Sequence, residues 1–362
     1  MLKRLLLIGL LLAFSILIVA QETALKDLKA LENIITKRSQ RLESQFSGLE
    51  IQRNAEFTKI EARYRGMTIR EYRANDFSDL SIEKVISFFM NLEESFLINK
   101  ILNTQNSNEI RRIEVIDALY EYPYIDDSGS NFIYISDKGT GNRNPFILNL
   151  ASYQEKQVLI PETGDYFPLL INNQIYFLKS IENGFSIIAY NINNDEMVEM
   201  RRGEITCLRK DLESVYFSEE RTIYKMNLEG RIVESFQFDH RIQSFDVQKN
   251  HLLISMLDGV QYDLFVYDRE AESLHRLTQT DYNEIDVVFQ DDQTALFSSN
   301  LTGHYGLYEK YISEIHHISQ YTAIYEGKNE DIFYAHYSDF FSKIICSVYV
   351  AGKEPKLLFI SH

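Results

Sequence analysis

Six runs of strand-forming residues recur at a nearly fixed interval through the latter part of this 362-residue sequence. They are NFIYIS (131–136), NQIYFL (173–178), ESVYFS (213–218), NHLLIS (250–255), QTALFS (293–298) and EDIFYA (330–335). Their third residues, Ile133, Ile175, Val215, Leu252, Ala295 and Ile332, lie 42, 40, 37, 43 and 37 residues apart. A second series follows across a polar loop: PFILNL, SIIAYNI, TIYKMNL, DLFVYDR, YGLYEKY and ICSVYV. Short third runs come next (KQVLI, EMVEM, IVESF, LHRLT, IHHIS, KLLFI), and another run precedes each unit, as in IEVIDALYEY (113–122), EITCL, IQSFDV and EIDVVF. Val, Ile, Tyr and Phe bounded by Gly, Asn and Asp are strand-and-turn grammar. Four strands per period of roughly 40 residues is the pattern of a propeller blade. One such sheet cannot bury both faces, but a closed ring lets each pack on two neighbours. The expected fold class is mainly β: a six-bladed β-propeller over 113–362, with an N-terminal α-helical segment. No blade is read as split between the termini, although Ile113–Tyr122 is available as a closing strand.

The chain opens MLKRLLLIGLLLAFSILIVAQET. Lys3 and Arg4 precede an apolar run from Leu5 to Ala20, the form of a secretory signal over 1–20. The run is short for a bilayer span, so an uncleaved anchor is the rival reading, and no Cys follows it to carry a lipid. Residues 21–112 are read as helical. They hold no proline and are dense in charge, with Leu28, Ile35, Leu42 and Leu49 recurring at sevens. A second helix is expected over 79–102, capped by Asp79 or Ser81, with Val85, Phe88, Phe89, Leu92, Phe96 and Ile101 as its apolar face. NTQNSNE (103–109) reads as a linker. Arg38 and Gln45 interrupt a coiled-coil seam, which favours helices that pack within the protein.

One stretch adds a resemblance. VYDREAESLHRLTQTDYNEIDVVFQDDQTALFSSNLTGHYGLYEKY, from the fourth unit into the fifth, resembles the repeat of TolB-type propellers. That pattern runs Y-x-x-D, L-T, an inner strand with a Ser-Pro-Asp-Gly turn, then F-S-S-x-x-x-G-x-x-x-I-Y. YISDKGTGNRNPFILNLAS of the first unit is similar to its second half. Here Gln290-Asp291-Asp292-Gln293 replaces the usual turn, and the third unit shortens its loop to SEERTIY. The resemblance implies a propeller over 113–362 and a bacterial envelope setting. The region before it is not similar to the small α/β domain of TolB itself.

Charge and motifs exclude several functions. Without Lys3 and Arg4 the 37 basic residues become 35 against 53 acidic ones, a net charge of −18. Such a chain does not hold nucleic-acid phosphates by charge. It contains no G-x-S-x-G, H-E-x-x-H, C-x-x-C or P-loop. His316 and His317 are adjacent on a strand and point to opposite faces, so they do not share a metal. A pore-centred metal lyase would draw on His240 or His304. Asp126-Asp127-Ser128-Gly129-Ser130 lacks the acids of a calcium loop and reads as a turn. Cys207 and Cys346 fall on opposed blades, too far apart for a disulfide. No cofactor, metal or disulfide is expected.

The remaining candidates are loops: SDKGTGNRN (136–144), SIENGF (180–185), LDGVQY (257–262) and SNLTGHYG (299–306). Loops on a rigid frame carry binding, and Asn142, Arg143, Asn300 and His304 present donors to a peptide or carboxylate. The expectation is an exported, periplasmic, non-enzymatic interaction scaffold. Its partners would be other envelope proteins or peptide segments, bound through propeller loops and the N-terminal helices, with membrane contact only if the leader stays uncleaved. The alternatives are a propeller lyase or hydrolase with a pore-centred site, and a sensor of a small peptide or sugar.

Overall fold

The computed structural model describes residues 29–54, 59–74, 81–105, 109–114, 118–138, 141–158, 165–212, 214–313 and 320–361. The signal-like leader, Leu28, Asp79, His316 and His317 lie outside them. Two compact units divide at Phe96 and Leu97.

The first unit corrects the wholly helical reading of 21–112. A helix does cover 29–45, burying Leu31, Ile35 and Leu42. Then Gly48, at φ +87°, turns the chain into an antiparallel three-stranded sheet, Leu49–Arg53, Lys59–Tyr64 and Met67–Arg73. Arg65 and Gly66, at φ +49° and +83°, make the two-residue turn that right-twisted strands prefer. Ile60, Ala62, Ile69 and Tyr72 form its buried face. Glu61 accepts from Thr68, Arg63 and Lys59, which hold its carboxyl down at about 2. The dense Arg and Glu of this stretch hid its period of two. The second helix is Ile82–Asn103, and Ser81 caps it by accepting from Lys84 N at 3.3 Å. Val85, Phe88, Phe89, Leu92 and Phe96 are buried as expected, and the Phe96 ring meets Phe46 at 4.7 Å.

In the second unit six four-stranded antiparallel sheets form a ring. Their innermost strands are Tyr120–Ile125, Asp165–Ile171, Ile205–Asp211, Ile242–Gln248, Glu284–Asp291 and Glu330–Ser338. Each contacts the next, and the sixth contacts the first, so the ring closes. Apolar clusters lie between neighbouring blades. Cys207, Phe245, Leu252 and Ile254 seal blades 3 and 4, and Val288, Leu296, Ile332, Ile344 and Cys346 seal blades 5 and 6. Near blade 1 the last turns of the long helix add Ile98 and Leu102 to Phe132, Leu148 and Phe359.

Blade 6 departs from the sequence reading by one strand. EDIFYA belongs to its innermost strand rather than its second. Lys343–Val350 is second and Lys356–Ser361 third. The outermost place is taken by Ile110–Arg112, from before blade 1. The sixth blade is therefore split between the two ends of the propeller, and the propeller starts at 110 rather than 113. Arg112 Nη2 fixes this closure by donating to Tyr325 at 2.9 Å and to Glu330 at 2.5 Å. Three residues between polar flanks are too short to show as a strand in sequence. In blade 1 the innermost strand is Tyr120–Ile125, later than 113–122. Cys207 lies on the innermost strand of blade 3 and Cys346 on the second strand of blade 6; both are buried free thiols.

Candidate binding site in the central channel

Every innermost strand carries a bulge, where one strand holds an extra residue against its partner. In four of them the bulged residue has positive φ without being glycine: Tyr122 at 51°, Phe167 at 52°, Asp286 at 52° and Tyr334 at 55°. Such backbone costs roughly 1–2 kcal/mol per residue, and it clusters at functional places. Bulges re-aim side chains, and here they bring three rings together at the axis. Tyr122 stacks on Tyr334 with centroids 3.9 Å apart and meets Phe167 at 4.7 Å. On the far side Gln243 Nε2 donates to Asp286 Oδ1 at 3.3 Å, and Asp286 N donates to Gln243 Oε1 at 3.2 Å.

Above these rings is a cavity of about 230 Å³, with walls from all six innermost strands. It ends on Tyr122, Phe167 and Tyr334 and opens on the rim of the hairpins that join first and second strands. Arg209, Lys210, Asp246, Gln248, Gln290 and His336 supply its polar wall. Five buried polar atoms of this wall have no hydrogen-bond partner: Tyr124 Oη, Arg209 Nε, Gln248 Oε1, Gln290 Oε1 and His336 Nε2. Arg209 Nε stands 3.6 Å from Asp246 Oδ1, close enough for charge attraction only. Asp246 itself accepts from Phe289 N at 2.7 Å, which ties blade 4 to blade 5.

Burial sets the protonation of this wall. It raises the carboxyls of Asp246 and Asp286 above the ordinary range, with Arg209 opposing. It lowers His336 to about 4, and the positive Arg209 adds to that, so the imidazole is neutral near pH 7. It pushes the Tyr334 phenol up to about 12, helped by Asp286. Lys210 reaches across the mouth from blade 3 to blade 1, where its Nζ meets Asp127 Oδ2 at 2.8 Å and lies over the Tyr124 ring at 5.6 Å. Leu212 and Phe340, 84% and 63% exposed, stand on hairpins of the same rim.

The residues nominated from sequence lie on the opposite rim and do not converge. Asn142 and Arg143 belong to blade 1, Asn300 and His304 to blade 5. Asn142 is exposed and its carbonyl accepts from Asn144. Asn300 Oδ1 accepts from Asn283 N at 2.8 Å, and His304 Nδ1 lies 3.5 Å from Asp331. Arg143 comes nearest the axis: it pairs with buried Glu121 and lies over the Tyr166 ring at 4.8 Å. His240, half-buried, lies between blades 3 and 4. Among the described residues no group of three or more His, Cys, Asp or Glu is placed to hold a metal ion. The wall residues were missed because they come from four different blades. His336 was missed also because blade 6 was read one strand out.

No family model and no curated protein matches this chain. Among solved structures the fold is similar to that of the tricorn protease, at TM-score 0.51 and 11% identity over 65% of this chain and 25% of that one. Only a quarter of the tricorn protease is thus spanned. Other similar structures are an oligogalacturonate lyase in complex with manganese (TM-score 0.47, 8% identity, 72% of this chain, 97% of that one) and TolB from Acinetobacter baumannii (0.43, 12%, 87% and 79%). At such identities the likeness concerns fold alone. Sheet topology and ring closure define the class: this is a six-bladed β-propeller.

Proposed function

We propose that the chain is an exported, non-enzymatic binding scaffold of the bacterial envelope, and that it holds its partner at the hairpin-side mouth of the channel. One observation carries this reading: the five buried polar atoms without partners all belong to residues that line one cavity. Each such group costs about 1–3 kcal/mol when left unpaired, and a ligand that pairs them recovers that cost. Exposed Leu212 and Phe340 beside the mouth add apolar area that an inserted segment covers. This moves the contact face from the loops of Asn142, Arg143, Asn300 and His304 to the opposite rim. Export rests on the leader sequence.

The test uses the full mature chain as bait in envelope extracts, beside the exposed-rim double variant Leu212→Asp/Phe340→Asp and the cavity-filling Gln290→Trp. A partner retained by the parent and reduced at least tenfold in both variants is the expected result. Equal retention, or turnover of a sugar polymer or peptide by the parent, would overturn it. The cavity's size also suits a small-ligand sensor. A small molecule that binds the folded state alone raises the melting temperature without any protein partner.

A further inference from the structure

Resting on that reading, we infer that the cavity receives the carboxylate-bearing end of a polypeptide. The contacting rings of Tyr122, Phe167 and Tyr334 form a floor at the cavity's inner end. The cavity therefore suits the end of a chain better than its middle. The floor is apolar and the wall is polar, so a terminal residue puts an apolar side chain on the rings and its polar groups against the wall.

The wall matches a terminal carboxylate group by group. Arg209 Nε and Tyr124 Oη are donors with no acceptor. Neutral His336 spends its single N–H on the Ile125 backbone carbonyl, so its unpartnered Nε2 is an acceptor. Gln248 Oε1 and Gln290 Oε1 are acceptors with no donor, as required by the main-chain N–H groups of an entering segment. Lys210 supplies the second charge. Its ammonium lies at the mouth against Asp127, whose side chain is 82% exposed while that of Lys210 is 13% exposed. With its acid so exposed, the pair contributes little. Asp127 thus stands in for the guest: an entering carboxylate takes its place on Lys210 and releases it to water. Asp246, held by Phe289 N, keeps Arg209 from swinging away. Asp339 also borders the mouth, so the guest is a single carboxylate and an otherwise uncharged end rather than an acidic stretch.

The test is binding to the full-length protein of a fluorescent octapeptide pool ending in Leu, as free acid and as C-terminal amide, with N-acetyl-leucine and galacturonate as further arms. The free acid is expected to bind at least tenfold tighter than the amide. Lys210→Met and Arg209→Lys should each weaken the acid at least fivefold and leave the amide unchanged. Asp127→Asn should tighten the acid severalfold, which loss of a structural contact would not do. Tight N-acetyl-leucine binding with the same variant profile supports the carboxylate and identifies the free residue as a sufficient source. Equal binding of acid and amide, weakening by Asp127→Asn, or binding of galacturonate alone would overturn the inference. If acid and amide bind alike while Gln290→Trp still loses the envelope partner, only the carboxylate falls. If Gln290→Trp keeps that partner, the channel reading falls too.

Discussion

Glu284 is fully buried where blades 4 and 5 meet, and its carboxyl is pushed up to about 8. Burial is the main cause; Thr280 and Thr278 pull the other way by donating to it, and nearby Asp263 adds repulsion. Tyr321 lies 3.4 Å away, and Arg276 pairs with Asp263 on the other side. The sign follows. In the unfolded chain this carboxyl ionises near 4.5, so between 4.5 and 8 the folded state holds a proton that the unfolded state has lost. Stability therefore falls as pH rises through that window, by up to about 1.4 kcal/mol per unit. His336 has the opposite sign. Its pKa of about 4 against 6.5 unfolded means stability falls as pH drops below 6.5. Glu284→Gln keeps the shape and an acceptor for the threonines. Its melting temperature should stay flat between pH 6 and 8.5 while that of the parent declines, and an equal decline in both would exclude Glu284 as the source. A change at Gly184 acts through space instead of charge. It sits at φ +110°, where an added Cβ would lie 2.4 Å from the Gly203 carbonyl oxygen. Gly184→Ala should cost about 2 kcal/mol or more, read as a drop in the urea midpoint.

At the level of elements, what sequence revealed and what it hid have physical reasons. Second and third strands were plain because runs such as NFIYIS and NQIYFL are buried on both faces, so nearly every position is apolar. Innermost strands were harder. Their bulges break the alternation, and polar residues such as Gln243, Asp246 and Asp286 occupy them because they face the channel or bridge blades. The sheet over 49–73 was hidden by charge, and the closing strand Ile110–Arg112 by its brevity. Of the candidate site only Arg143 came near the axis, since the cavity exists only once six distant segments converge. The closing strand makes its own prediction. Ser361 N donates to Glu109 O at 3.0 Å and Ile113 N to Leu357 O at 3.2 Å. Arg111, opposite Phe359, falls at the bonded position between them. Arg111→Pro removes that donor from the ladder and should cost about 2–3 kcal/mol, or roughly 5–10 °C of melting temperature for a domain of this size. Arg111→Ala, which keeps the N–H, should change little. Similar losses in both would mean that the strand holds blade 6 through its side chain.

At the level of the molecule, the question is whether the ring opens as one unit. A propeller is a chain of interfaces, and a chain of interfaces can fray at its seam. The two cysteines report on this because they sit in different seams. Cys207 is packed between blades 3 and 4, where its thiol lies 3.7 Å from Phe245 O. Cys346 is packed between blades 5 and 6, next to the split blade. Burial raises both thiols, so neither is reactive while sealed. If every blade needs both neighbours, the two thiols become accessible together, at the free energy of global unfolding. Maleimide labelling of the native protein, followed by mass spectrometry, should then modify Cys207 and Cys346 at equal slow rates. In Arg111→Pro the weakened closure should let blade 6 part first, so Cys346 labels sooner and Cys207 lags. Faster labelling of Cys346 in the parent would show that the closing strand already frays. Faster labelling of Cys207 would place the weak seam between blades 3 and 4, away from the closure, and would break the link between ring closure and cooperativity.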